Sequence, residues 1–181
     1  LSWFYNNDHT KAIENLQKSA DVAIANEQWT LAIQNYINIG GINSSVFGNY
    51  MKAMEYYTKA LRVCESQNLT YKIYDAYNGI ANVYLYQKED EKALDYYMKA
   101  LLFLEKANDK SSLSILYQNI GQYYSTIHQV DQAELYYEKS LKTFREIEIK
   151  GGIITTLVML SDIHRQRGQL GKALSNDMEA M

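Results

Sequence analysis

The sequence contains no proline among its 181 residues. Proline is the strongest breaker of a helix interior, so no candidate helix here is interrupted in that way. Cysteine is almost absent as well. Cys64 alone excludes an intramolecular disulfide, leaves the redox compartment open, and most simply serves as a small buried apolar side chain on a helix. No long hydrophobic run exists either. The longest nearly apolar stretch, around Ile153 to Leu160, falls far short of the roughly 20 residues that cross a bilayer. An excess of basic charge is also missing: 18 Lys and Arg stand against 21 Asp and Glu, for a net charge of -3. Without a basic face to neutralise phosphates, a nucleic-acid-binding role is disfavoured. The opening Leu1-Ser-Trp-Phe-Tyr-Asn-Asn-Asp8 has neither the basic flank nor the apolar core of a signal peptide, and no initiator methionine. The chain therefore reads as part of a longer protein. A cytoplasmic setting is favoured, and a periplasmic one stays open if the whole is a membrane sensor.

What the sequence does have is repetition. Glu55-Tyr-Tyr-Thr-Lys-Ala-Leu61, Asp95-Tyr-Tyr-Met-Lys-Ala-Leu101 and Leu135-Tyr-Tyr-Glu-Lys-Ser-Leu141 are one phrase written at a fixed interval, and Ala53, Ala93, Ala133 and Ala173 keep the same 40-residue step. Small residues recur at Gly41, Ala81, Gly121 and Ser161 and again at Ala60, Ala100, Ser140 and Ala180, where two helices could approach closely. A further column holds Ser44, Tyr84, Tyr124 and His164.

Within one repeat, Tyr77, Ile80, Ala81 and Tyr84 follow the i, i+3, i+4, i+7 spacing of a helix face, and Ala93, Tyr97, Ala100 and Leu101 form a second face. Gln87-Lys-Glu-Asp-Glu91 makes the turn between them, with Asp90 as the expected N-cap. Asn108-Asp109 separates one repeat from the next, while Gly48 and Gly168 suit left-handed turn positions. The repeat is a helix hairpin. The expected division is a partial preceding unit over 1–26, complete units over 27–66, 67–106 and 107–146, and a truncated unit over 147–181.

The order Tyr77, Ile80-Ala81, Tyr84, Ala93, Tyr97, Ala100 resembles the tetratricopeptide repeat, in the longer variety of about 40 residues rather than 34. The proline usual after the second helix is missing. The resemblance implies an all-α fold, a right-handed α-solenoid of antiparallel helix hairpins, in which Tyr57, Tyr97 and Tyr137 pack between helices. Tyr56, Tyr96 and Tyr136, about 100° further round the helix, are expected to face the adjoining unit or solvent. Asp177 breaks this column; a carboxylate there needs a partner or an exposed helix.

The resemblance also implies that the first helices line a concave peptide-binding surface. Asp75, Asn78, Asn82 and Leu85 form the stripe beside the core face. Alignment by 40 places Asn38, Asn78, Gln118 and Val158 in one column and Ile42, Asn82, Gln122 and Asp162 in the next. Carboxamides suit an extended peptide, because each offers a donor and an acceptor to the ligand backbone whatever its side chains. A solvated face that merely tolerates Asn and Gln is the alternative. The expected site is therefore Asn38, Asp75, Asn78, Asn82, Gln118, Gln122, Asp162 and Arg165, with Tyr71, Tyr74 and Tyr86 as rim aromatics. Arg165 is the only cation near these columns, which argues against the family's carboxylate clamp for chaperone tails.

Catalysis finds little support. His9, His128 and His164 have no Cys, Asp or Glu at metal spacing around them, and His164 reads as a hydrogen-bonded packing residue. The expected function is a non-enzymatic module for a peptide or protein segment, without cofactor or metal; the resemblance implies that it is the sensory or regulatory part of a larger bacterial signalling or transcription-regulating protein. The alternative is a structural spacer that self-associates through its end units.

Overall fold

The computed structural model describes residues 2–69 and 72–181, and side chains from residue 8 onward within that range. Among them the chain is helical throughout: α1 (Ser2–Ala25), α2 (Trp29–Ser45), α3 (Tyr50–Ser66), α4 (Ile73–Tyr86), α5 (Asp90–Ala107), α6 (Lys110–Thr126), α7 (Val130–Glu146), α8 (Lys150–Gln166) and α9 (Leu170–Ala180). It divides into two compact units, Leu1–Phe103 and Leu104–Met181.

Helices α1 to α8 are each followed by a residue at positive φ. Gly48 and Gly168 take positive φ, as expected, but so do Glu27, Asn68, Lys88, Asn108, His128 and Glu148, at φ between 53 and 61°. A left-handed residue costs roughly 1–2 kcal/mol without glycine. Here it turns the next N–H back onto the helix end: Glu89 N donates to Tyr84 O at 2.9 Å and Gln129 N to Tyr124 O at 2.8 Å. The following helix starts at once. Consequently α5 begins at Asp90 itself, and the expected N-cap lies inside the first turn, where its carboxylate complements the helix dipole. Elsewhere Asn49 and Asp109 do cap, accepting from Lys52 N and Ser112 N.

In the first unit the core gathers Ala53, Tyr57, Ile80 and Val83, with Ile33, Ala60, Cys64, Ile73 and Ala76 beside them. Glycine seats the tyrosine ring. A Cβ on Gly40 or Gly79 would stand 2.7 or 2.4 Å from Tyr57 ring atoms. In the second unit the core is Ala133, Tyr137, Leu141, Leu157, Leu160 and Ile163, and Tyr137 lies against Gly121 in the same manner, at 2.6 Å.

The first tyrosine of each pair also packs on the first helix of its own hairpin, while Tyr56, tilted against Tyr36 at 6.1 Å, faces Thr10 and Glu14 of the preceding unit as expected. Tyr96 stacks on Tyr84 at 5.6 Å and 27°, and Tyr136 on Tyr124 at 5.5 Å and 20°, each on the first helix of its own hairpin. A lysine three residues on covers the ring: Lys59 on Tyr56, Lys99 on Tyr96, Lys139 on Tyr136, at 4.5, 4.5 and 4.6 Å from the centroids.

Candidate functional site

In the first unit, α1 to α4 surround an open concavity of ≈540 Å³. Helix α2 contributes Asn38, Gly41 and Ile42, α4 contributes Asp75, Asn78 and Asn82, and Tyr57 reaches it from α3. Four of the expected site residues thus share one surface. Asp75 is the only charged residue among those described around the concavity. It lies in the first turn of α4 with Lys72 Nζ 3.8 Å away.

The amides are partly committed. Gln34 Nε2 donates to Asn38 Oδ1 at 3.1 Å, and Asn82 Oδ1 accepts from the hydroxyl of fully buried Tyr97 at 2.5 Å. Asn82 is held in place by the core, with its amide nitrogen left to donate. The rim aromatics stand elsewhere. Tyr86 stacks on Tyr50 at 6.0 Å, Tyr74 is not among the lining residues, and Tyr71 lies outside the described residues.

The second unit repeats the latch. Gln122 Oε1 accepts from Tyr137 OH at 3.3 Å, and Gln118 Nε2 donates to Thr156 Oγ1 at 2.7 Å, tying α6 to α8. Burial pushes the Tyr137 hydroxyl pKa up to about 12, with the Asp162 charge adding to it. In the last hairpin the aromatic is replaced by Asp177. Arg165 bonds Asp162 at 2.7 Å and Asp177 at 2.5 Å, so this carboxylate finds a partner on α8. His164 is buried, with Nε2 3.0 Å from Glu134 and Nδ1 3.1 Å from Asn176 Nδ2. An amide donating to Nδ1 places the imidazole proton on Nε2, facing the carboxylate.

The 40-residue count slips by one residue in α2. The turns after α4, α6 and α8 close with a bond reaching five residues back, whereas Asn49 N reaches six back, to Asn43 O at 2.7 Å. Asn43 therefore takes the place of Tyr84 (84 − 43 = 41), and Ser44 leaves that column. By the same offset Gly40, not Gly41, stands with Ala81 and seats the tyrosine ring. Gly41, not Ile42, is the counterpart of Asn82, since 82 − 41 = 41, and the counterpart of Asn78 is Ile37 rather than Asn38.

Gly41 and Tyr57 are among the residues at the concavity that the sequence reading did not assign to the site. A Cβ on Gly41 would meet only Tyr57 OH, at 3.9 Å. A helical glycine costs about 0.5–1 kcal/mol relative to alanine, and packing does not account for this one. The doubled Gly40-Gly41 was the available signal, because only one of the two is needed to seat a ring.

Among the described residues no group of three or more His, Cys, Asp and Glu is placed to hold a metal ion, and no helix is long and apolar enough to cross a membrane. Cys64 is buried, and burial foremost, with the charge of Asp75 behind it, pushes its thiol up to about 11.

Residues 72–146 match the family model of the tetratricopeptide repeat. No curated protein matches the chain. Among solved structures, BtubC from P. vanneervenii is similar at TM-score 0.68 with 18% identity, over 96% of this chain and 87% of that one. A Rap protein complexed with Competence and Sporulation Factor gives TM-score 0.72 with 17% identity, over 89% of this chain and 51% of its own. The tetratricopeptide repeat sensor of a signal transduction ATPase from Pyrococcus horikoshii gives 0.67 and 20%, over 92% and 29%. This chain thus spans about half of the Rap protein and less of the ATPase. Over residues 72–146 the repeated hairpin thus matches the tetratricopeptide repeat, and the fold is all-α and similar to the helical-repeat solenoids of these structures.

Proposed function

We propose that this chain is a non-enzymatic binding module that takes an extended peptide or protein segment in the concavity of its first unit, as the sensory part of a larger bacterial signalling or transcription-regulating protein. The observation that carries the reading is the meeting of Asn38, Asp75, Asn78 and Asn82 at one open surface. Amides projecting from two helices can hold a ligand's main chain through paired donors and acceptors, which gives affinity without demanding one side-chain sequence. That one structurally similar protein was solved in complex with Competence and Sporulation Factor, and that another carries a tetratricopeptide repeat sensor, supports the same reading. Gln118, Gln122, Asp162 and Arg165 belong to the second unit and are proposed as a further contact surface.

The test is a screen of the chain against a pool of N-acetylated, C-amidated pentapeptides, followed by Asn78→Ala with Asn82→Ala. The double variant is expected to weaken a selected peptide by at least about tenfold, equivalent to ~1.4 kcal/mol. A thermal melt confirms that it remains folded, since Asn82 also holds Tyr97. Unchanged affinity in the folded variant would remove the groove from the proposal.

A second reading, a spacer that self-associates through its ends, has its own observation. Leu170, Leu174 and Met178 on α9 are each more than 60% exposed. It predicts concentration-dependent oligomers in light scattering without any selected peptide.

A further inference from the structure

We infer that Gly41 and Tyr57 form a subsite for one peptide group of the bound segment, a ligand carbonyl taking the place that a side-chain amide fills in the next two hairpins. The inference rests on the groove reading above and names the point at which the ligand's main chain lies directly on α2.

In hairpin α4–α5 the buried Tyr97 hydroxyl donates to Asn82 Oδ1, and in α6–α7 the Tyr137 hydroxyl donates to Gln122 Oε1. In α2–α3 the tyrosine is kept, seated on Gly40 and Gly79, but the position of the amide is Gly41. Tyr57 thus carries the same hydroxyl to the concavity without the amide side chain that receives it elsewhere.

The usual reasons for a glycine fail at this position. Its backbone is helical and not at positive φ, and its missing Cβ would touch nothing closer than 3.9 Å. Glycines at 40, 79, 121 and 152 differ in this respect, each lying under an aromatic ring. What glycine provides at 41 is clearance beside a hydroxyl, on a surface shared with Asn38, Asn78 and Asn82.

The chemistry of the guest follows from what the internal hairpins supply, an sp² amide oxygen placed for a phenol donor. A peptide carbonyl is the same acceptor. The Tyr57 hydroxyl lies beside Ser44, which opposes the effect of burial on its pKa and whose own hydroxyl donates to Gly41 O at 3.1 Å. Donation of the phenol proton to a ligand carbonyl leaves Ser44 its bond to the helix, so it strands no group.

The experiment uses the full chain with ring-labelled tyrosine and N-methylacetamide as the smallest peptide-group probe. The Tyr57 resonances are expected to shift saturably, while those of Tyr97 and Tyr137, whose hydroxyls already hold a side-chain amide, do not. Gly41→Asn supplies the amide covalently, and should abolish the Tyr57 response and raise Tm by about 2 to 4 °C. In the pentapeptide assay it should weaken the selected peptide by at least about tenfold, as should Tyr57→Phe, which keeps the ring on its glycine seats. A Tyr57 ring silent to the probe, or a response that survives Gly41→Asn, overturns the subsite. Equal peptide binding by wild type and Gly41→Asn overturns it too but leaves the groove standing. A probe response without any peptide selected instead removes the groove reading and keeps the subsite.

Discussion

At the scale of single residues, the buried tyrosines combine a packing task with a polar one. Tyr97 is fully buried, so truncating it removes a ring and leaves Asn82 without the hydroxyl it accepts from. Tyr97→Ala is expected to lose about 3 to 5 kcal/mol in a denaturant titration, the range for large aromatic truncations in cores. Tyr97→Phe should lose only about 1 kcal/mol, the hydrogen-bond share. A loss below about 1 kcal/mol for Tyr97→Ala would contradict the packing role. Tyr137 adds a dependence on pH. Its hydroxyl is raised from 10.0 to about 12 in the fold, mainly by burial. Above pH 10 the unfolded chain loses this proton first, which favours unfolding. Its contribution is therefore complete below pH 10 and is lost as the pH rises towards 12. Stability measured across that window should fall less steeply in Tyr137→Phe than in wild type.

At the scale of the helix, the recurrent Tyr-Tyr-x-Lys phrase is a packing device in which every position has a separate task. The first tyrosine stacks on the first helix of its hairpin, the second enters the core, and the lysine covers the first ring from outside. The last copy, Asn176-Asp177-Met178-Glu179, replaces all three together. Asn176 bonds His164, which stands where Tyr84 and Tyr124 stand, Asp177 bonds Arg165, and Glu179 bonds Arg145. An aromatic hairpin has become a polar one by matched changes on facing helices. The ion pairs are half exposed, so each contributes little. Arg165→Gln should cost no more than about 1 kcal/mol at moderate salt, read by thermal or urea unfolding. His164→Phe should cost more, because the half-buried Asn176 loses its acceptor and Glu134 is left with Arg167 alone.

The sequence made the hairpins, their period and the core columns legible, because close helix approach demands small residues at constant spacing, as at Ala53, Ala93 and Ala133. The register of α2 was not legible. Its extra residue is absorbed in a backbone step from Asn49 to Asn43 that no side chain announces, and it moved Gly41 into the position of Asn82. The left-handed turns at Lys88 and His128 were hidden for a similar reason, their compensation lying in main-chain bonds rather than residue type.

At the scale of the molecule, a repeat array is stabilised by neighbour contacts, so a defect should be felt locally. The partners of Tyr137 are Gly121, Gln122, Leu157 and Leu160, all in the second compact unit, and those of Tyr57 are Gly40, Gly79, Ile80 and Val83, all in the first. Tyr137→Ala should therefore accelerate amide exchange in α6 to α8 while α2 to α4 keep wild-type protection. A single cooperative core would respond differently, with exchange rising throughout by the same factor, since every amide would then report one global opening. The distinction bears on function. Peptide binding in the first unit should raise protection in α2 and α4, where Asn38, Asn78 and Asn82 reside, and Tyr137→Ala should leave that increase intact. If the variant removes the ligand-induced protection of α2 and α4 while remaining folded, the ligand must engage the second unit as well, and Gln118, Gln122, Asp162 and Arg165 become the first residues to substitute.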